Sequence, residues 1–132
     1  MGRLERHCKT CGRPVNLRSS VYCSNQCQTD FQYMRYIADW KHGRASGTKA
    51  DGVVSGHIRR YILERDGVRC SRCGWCERHP VTNRVPLEIH HLNGDHLDNT
   101  EPNLVLLCPN CHSLTPTYRA LNKGNGRAKR RK

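Results

Sequence analysis

Four closely spaced pairs of cysteines constrain this 132-residue chain more than any other feature. The two N-terminal pairs are separated by 11 residues and the two C-terminal pairs by 34 residues, and they are Cys8/Cys11, Cys23/Cys27, Cys70/Cys73 and Cys108/Cys111. Two such pairs suit a tetrahedral four-thiolate zinc site, in which each pair folds as a tight knuckle. Hydrophobic residues are 36% and aromatic residues 6% of the chain, so the sequence has little with which to fill a core. We therefore predict a small α+β protein stabilised by two structural Zn²⁺ ions.

The rest of the chain favours zinc over disulfide bonds. No apolar run approaches the roughly 20 residues of a membrane span, and the first 20 residues lack a signal-peptide core. We therefore expect a cytoplasmic protein without a membrane partner, in a compartment that keeps thiols reduced. The ninth cysteine, Cys76, is expected to be a buried free thiol rather than a ligand.

The net charge indicates a polyanionic partner. Lys and Arg number 23 against 11 Asp and Glu, a formal charge of +12. Eight thiolates on two Zn²⁺ ions would add −8 and +4, which leaves +8. A positive charge of this size favours nucleic acid as the first candidate partner and an anionic membrane surface as the second. The stretch from Arg119 to Lys132 carries seven basic residues and no acidic one, as nucleic-acid-binding arms do.

Four segments follow from the cysteines, glycines and charges. Residues 1–42 are predicted to be a four-cysteine knuckle followed by a helix from Ser24 to before Gly43, with Cys27, Phe31, Met34 and Ala38 in a core-facing stripe that Ile37 and Trp40 widen. Residues 43–56, with four glycines, read as a linker. A short helix from about Ser55 to Asp66 then leads into the second unit, residues 57–118. Residues 119–132 read as a basic, flexible tail.

The second unit reads as strand, loop, strand and helix, with three histidines beside its turns. Strands are predicted over 86–92 and 103–107, and a short helix begins at Cys111, limited by Pro116. A site closed by four cysteines does not need His90, His91 or His112. Imidazole can hold a divalent metal or accept a proton near neutral pH, and phosphodiester hydrolysis requires both. Satisfied structural histidines or extra zinc ligands are the alternative.

These residues resemble the HNH endonuclease family. The pair His90-His91 and the run from Asn103 to His112 look like its motif on a ββα-metal fold, and the flanking cysteine pairs match its zinc-bearing branch. The whole chain, with its N-terminal zinc knuckle, is similar to phage-encoded free-standing HNH endonucleases. The resemblance therefore implies a ββα-metal nuclease unit, a DNA substrate and the cytoplasm of a phage-infected bacterial cell.

Matching residues imply the roles in the site. His91 matches the general base that deprotonates the attacking water. His90 and His112 match ligands of one catalytic divalent ion, Mg²⁺ or Mn²⁺. Asn103 matches the middle Asn, which bonds backbone across the loop and keeps the base oriented. Strict strand alternation would put His90 and His91 on opposite faces, so the strand must twist or end there. A third metal ligand from Asp95, His96, Asp98 or Asn99 is the less favoured interpretation.

Other function classes stay open on the sequence. A non-catalytic, zinc-stabilised DNA-binding protein on the same scaffold fits the composition equally well. RNA cleavage lacks an aromatic base-stacking platform, and a Cys/His redox enzyme is disfavoured because the cysteine pairs match one another at zinc spacing. The sequence leaves open the recognition site, nicking against double-strand cleavage, monomer against DNA-bound dimer, and a homing, restriction or packaging role.

Overall fold

The computed structural model describes residues 5–16 and 20–124, which form two compact units. The first unit is Met1–Ala45 and the second is Ser46–Lys132. Within the described ranges, no helix has both the length and the apolar character that crossing a membrane would require. Residues 125–132, most of the predicted basic tail, lie outside the described residues.

The first unit consists of a short hairpin and one long helix. Strands β1 (Arg6–His7) and β2 (Pro14–Val15) pair antiparallel, and helix α1 follows over Asn25–Lys41. The Ser24 hydroxyl caps α1 by accepting a hydrogen bond of 3.1 Å from the backbone N–H of Cys27. Gly43, with φ of +74°, lies just beyond the last turn. The predicted start and end of this helix are confirmed.

The buried face of α1 differs from the predicted stripe. Tyr33, Ile37 and Trp40 are the buried residues of the helix, at spacings of four and three. Met34, expected in the core, is 54% exposed, and Ala38 is exposed as well. The prediction is confirmed for Ile37 and Trp40 and wrong for Met34 and Ala38, whose place in the core Tyr33 takes with its large apolar ring.

Helix α2 and a two-stranded sheet form the core of the second unit. Helix α2 spans Gly56–Asp66, and the sheet pairs β3 (Glu88–His91) with β4 (Leu104–Leu107). The helix is capped by Ser55 and ends at Gly67, with φ of +82°, as predicted. It packs against β4, and the side chains with no exposed surface are Ile58, Ile62, Leu104 and Leu106.

The sheet is shorter than predicted, and the helix after it begins earlier. Asn103, predicted to start the return strand, lies in a 3-10 turn over Glu101–Asn103, because Pro102 and the Asn103 side chain hold the backbone in that turn. Helix α3 spans Pro109–Ser113, and the Cys108 sulfur caps it by accepting from the backbone N–H of Cys111.

Most of the glycine-rich segment before α2 is hydrogen-bonded within the second unit. Thr48 and Val54 form an isolated antiparallel bridge, and the Lys49 N–H donates to the Val53 carbonyl at 2.7 Å. The Ser55 N–H donates to the Gly47 carbonyl at 2.8 Å. This small loop brings Thr48 to the sheet that carries the histidines.

The chain after α3 folds back on the turn that follows β3. A second 3-10 turn spans Arg119–Leu121, and the Asn122 side-chain amide donates to the Gly94 carbonyl at 2.7 Å. The first residues of the predicted tail are thus anchored to the second unit.

Candidate metal centres and active-site cleft

Two groups of four cysteines have the geometry of zinc sites. In each group the four sulfur atoms all lie within 4.8 Å of one another, and the groups are Cys8/Cys11/Cys23/Cys27 and Cys70/Cys73/Cys108/Cys111. A tetrahedron with Zn–S bonds of about 2.3 Å has sulfur atoms about 3.8 Å apart. The contact between Cys73 and Cys108 is 3.8 Å, and that between Cys11 and Cys23 is 3.5 Å. All nine cysteines are free thiols, so these groups suit zinc and contain no disulfide bond.

The peptide groups around the second cluster favour a thiolate. Burial opposes ionisation of Cys70, but the backbone N–H groups of Cys108, Cys73 and Arg72 point at its sulfur and lower its pKa to about 6. Burial, together with hydrogen bonds to the neighbouring thiols, raises the pKa of Cys111 to about 12. Four thiols cannot all ionise at such distances by themselves, and a bound dication reverses that balance.

Cys76 takes no part in either cluster. Its side chain is exposed, so the expectation of a buried thiol is wrong. It lies in the extended segment after the Cys70/Cys73 knuckle, where few elements are available to cover it.

A cleft of about 590 Å³ runs along β3 and the start of α3. It is lined by three groups of residues, from the loop before α2, from β3 with its turn, and from the C-terminal segment: Lys49, Val53, Val54, Gly56 and Arg59; Leu87–His91, Gly94 and His96; His112, Thr117 and Asn122. All three histidines of interest therefore line one cleft. Strand β3 ends at His91, which is how two adjacent histidines reach the same space.

The rings of His90 and His112 lie next to each other in this cleft, edge to face. Their ring centroids are 5.3 Å apart with the planes at 62°. His90 is buried, and this burial, together with the charges that His112 and His91 can carry, lowers its pKa. A neutral imidazole is the form that binds metal. Nδ1 of His112 contacts the Glu88 carboxylate, which leaves Nε2 for another partner.

These three residues form an open arrangement. Among residues 5–16 and 20–124, the two cysteine groups are the sets in which three or more metal-binding side chains lie within 4.8 Å of one another. Glu88, His90 and His112 do not meet that criterion. Two imidazoles with a nearby carboxylate can hold a hard divalent ion only if water or substrate oxygens complete its coordination.

His91 is held through its outer ring nitrogen. Its Nε2 lies 2.7 Å from the Asn99 side-chain oxygen. The Asn99 amide nitrogen in turn donates to the Thr48 hydroxyl at 2.7 Å. Nδ1 of His91 is then the ring atom available for chemistry, because an amide oxygen can only accept a hydrogen bond.

Asn103 ties the loop between the strands together. Its side-chain nitrogen donates to the Asn93 side chain at 3.0 Å and to the Asp98 carbonyl at 2.7 Å, and its oxygen accepts from the Asn93 N–H at 3.0 Å. Asp98 and Asp95 are engaged in turn hydrogen bonds within this loop. Hydrogen bonds to the Thr100 hydroxyl and N–H lower the pKa of Asp98. These contacts favour loop roles over metal ligation for both carboxylates.

Two cationic side chains also line the cleft. Lys49 and Arg59 both border the cleft, and the Arg59 guanidinium donates to the Leu87 carbonyl at 2.9 Å. That bond fixes the guanidinium beside β3. A phosphate entering the cleft would therefore meet both cationic groups and imidazoles.

Sequence reasoning missed three members of this site. The sequence indicates Glu88 only as a residue of the predicted strand, and Thr48 only as part of the predicted linker. Asn99 was considered as a loop residue or a metal ligand. The alternation of Glu88 and His90 along one strand was the one local signal, since residues two apart share a face. Nothing local connects Thr48 with Asn99.

Comparison with known proteins agrees with the motif. The chain is similar to the H-N-H endonuclease F-TflIV of Escherichia phage T5, with 44% identity over 73 residues. The aligned segment covers 54% of this chain and 32% of the relative, so the chain spans about a third of the length of the curated relative that it matches. No family model and no solved structure gives a significant match. The likeness confirms the predicted resemblance to the HNH endonuclease family.

Proposed function

We propose that this chain is a metal-dependent HNH endonuclease that hydrolyses phosphodiester bonds in DNA. The observation that carries the proposal is the convergence of His90, His91 and His112 on one cleft, although neither four-cysteine cluster needs them. The similarity to a phage protein named as an H-N-H endonuclease supports the same function. The hairpin of β3 and β4, followed directly by α3, supports a unit of the ββα-metal type.

His90 and His112 are the proposed ligands of the catalytic ion. Their rings are in edge-to-face contact, His90 favours its neutral form, and the Glu88 carboxylate contacts Nδ1 of His112. This donor set fits a divalent ion with open coordination positions, as Mg²⁺ or Mn²⁺ requires. When bound, the ion would neutralise charge on the scissile phosphate and on the leaving oxygen.

His91 is the proposed general base. Nδ1 accepts a proton from water, the resulting hydroxide attacks phosphorus, and the bond to the 3′ oxygen breaks. The 3′ oxygen takes a proton from solvent, which gives 5′-phosphate and 3′-hydroxyl ends. Asn103 acts indirectly: by bonding both Asn93 and the Asp98 carbonyl, it holds the loop that carries Asn99, the partner of His91. Lys49 and Arg59 contribute cationic groups to the wall that a phosphate approaches.

DNA, in double-stranded form, is the proposed partner. The net charge of +12 supplies sequence-independent attraction to phosphates. A single cleft of this kind cuts one strand at a time, so the chain would nick as a monomer or cut both strands as a DNA-bound dimer. The cytoplasm of a phage-infected bacterium is the proposed place of action.

Cleavage of supercoiled plasmid tests this function. The purified protein is incubated with plasmid and Mg²⁺ or Mn²⁺, with EDTA and His91→Ala controls. We expect open-circle or linear product that requires both the metal and His91. A loss of at least about 100-fold in rate is expected for His91→Ala, because the general base is removed while zinc content and DNA affinity are retained.

Two results would contradict the proposal. Undiminished cleavage by the His91→Ala protein would exclude His91 as the base. A gel shift without cleavage under any metal would instead indicate a zinc-stabilised DNA-binding protein.

A further inference from the structure

We infer that Asn99 and Thr48 position the imidazole of His91 for proton transfer, as a chain of two hydrogen bonds. The inference deepens the proposed function and rests on it, because it assigns positioning residues to the proposed base. Both bonds are 2.7 Å long: His91 Nε2 to the Asn99 side-chain oxygen, and the Asn99 side-chain nitrogen to the Thr48 hydroxyl.

Burial makes the first bond restrictive. Asn99 is 3% exposed, so its amide has little water with which to replace a lost partner. The Asn99 N–H also donates to the Leu97 carbonyl at 3.1 Å, which fixes the backbone from which the side chain extends. Rotation of the His91 ring would therefore break a hydrogen bond to a buried amide.

The second bond holds the amide in the orientation that the structure shows. With its nitrogen on the Thr48 hydroxyl, Asn99 presents oxygen to His91, so Nε2 must carry the ring proton. Nδ1 then holds a lone pair and can take a proton from water. With the amide reversed, its N–H would occupy the lone pair of Nε2 and Nδ1 would carry the proton. A general base needs a ring nitrogen with a free lone pair. The orientation with the Asn99 oxygen on His91 leaves Nδ1 in that state.

Thr48 is itself held in place from outside the HNH motif. It forms the bridge with Val54, and its N–H donates to the Ser46 hydroxyl at 3.2 Å. The orientation of the base thus depends on a loop that precedes α2, 51 residues before Asn99.

Paired substitutions at both positions test the inference in the full-length protein. Thr48→Val removes the hydroxyl and should slow single-turnover plasmid cleavage about tenfold, while Thr48→Ser keeps the hydroxyl and should restore the rate. Thr82→Val, the same change at an exposed threonine outside the cleft, is the matched control. Zinc content, thermal unfolding and metal-free DNA affinity are measured for each protein, because a purely structural role would move those instead.

Asn99 variants distinguish the two orientations of the amide. Asn99→Leu has a similar volume and no hydrogen bonds, so we expect a loss of about 100-fold in the cleavage rate. Asn99→Asp can only accept from Nε2, and the Thr48 hydroxyl can reverse to donate to it. We therefore expect Asn99→Asp to stay within about tenfold of the wild type. An equal loss in both variants would overturn the assignment of Nδ1 as the proton acceptor.

The nitrogen NMR spectrum of His91 provides a readout that does not depend on cleavage. We expect the neutral imidazole of the wild type to show the proton on Nε2 alone. Thr48→Val should produce a mixture of the two tautomers, and Thr48→Ser should restore the single one. A spectrum with the proton on Nδ1, or one that Thr48→Val leaves unchanged, would overturn the inference.

These measurements separate the two proposals. A wild-type protein that cleaves no DNA with any metal contradicts the proposed function, and the NMR spectrum still decides whether the hydrogen-bond chain orients His91. A wild type that cleaves, with Thr48→Val as fast as Thr82→Val, keeps the proposed function and overturns this inference alone.

Discussion

At the scale of single residues, the chemistry of His112 depends on which ring nitrogen is already engaged. Glu88 contacts Nδ1, which fixes the ring and leaves Nε2 for an ion. Carboxylates that hold a metal-binding histidine in this way typically contribute 10- to 100-fold to metal affinity. We expect Glu88→Ala to weaken Mn²⁺ binding by about that factor, measured by calorimetry. Glu77→Ala, at an exposed acidic residue outside the cleft, is the control. Equal affinity in both variants would contradict this role.

Gly94 is a second residue on which the cleft depends. Its φ is +76°, and a Cβ placed there would lie 2.6 Å from the Asn122 side-chain oxygen and 2.8 Å from Thr117 Cγ2. Gly94→Ala should lower the free energy of unfolding by about 2–3 kcal/mol, from backbone strain and this crowding together. Gly52→Ala, at a φ of +79° with nothing within 4 Å of the added Cβ, tests the backbone strain alone. It should lower the free energy of unfolding by about 1–2 kcal/mol. Denaturant unfolding measures both, and equal losses would show that the crowding relaxes freely.

At the scale of elements, α3 is too short to stand without metal. It has five residues, and an isolated helix of fewer than about 12 is unstable in water. Its cap and its third residue, Cys108 and Cys111, both belong to the second cysteine cluster. His112 directly follows Cys111, so the second cysteine cluster determines where His112 lies.

Substitution of one cysteine of the second cluster should unfold the second unit. Cys108→Ser should abolish the cooperative unfolding transition of the second unit and reduce bound zinc from two ions to one, since zinc binding there is folding free energy. Circular dichroism and zinc titration check this. Cys76→Ser, at the exposed thiol, should change neither. A folded, zinc-poor Cys108→Ser protein would count against a structural role for the ion.

The elements also show what can be predicted from the sequence and what cannot. Ser24 and Ser55 begin their helices, and Gly43 and Gly67 end them, because caps act over three or four residues. The cysteine pairs could be grouped because two pairs that fold as knuckles have few other partners. On α1, Ile37 and Trp40 are buried as predicted, but Tyr33 is buried in place of Met34, since their burial depends on what packs against them. Asn99 and Thr48, 51 residues apart, meet only in the fold.

At the scale of the whole molecule, charge outside the cleft should govern general affinity for DNA. Residues 125–132 include five basic side chains, namely Arg127, Lys129, Arg130, Arg131 and Lys132. Each phosphate contact contributes about 0.9 to the slope of log affinity against log salt. Deleting residues 125–132 should therefore weaken binding and reduce that slope by up to about 4.5, as measured by fluorescence anisotropy across salt concentrations. An unchanged slope would mean that these charges do not touch phosphate.

The Thr48–Asn99 bond also limits how the second unit can be exchanged between genes. A recombination junction at residue 57 would transfer every proposed histidine and the second cysteine cluster, and the transferred piece would lack Thr48. A junction at Ser46, where the second unit begins, would carry it. Fusion to a different N-terminal module should thus preserve the chemistry only when the short loop before α2 travels with the motif.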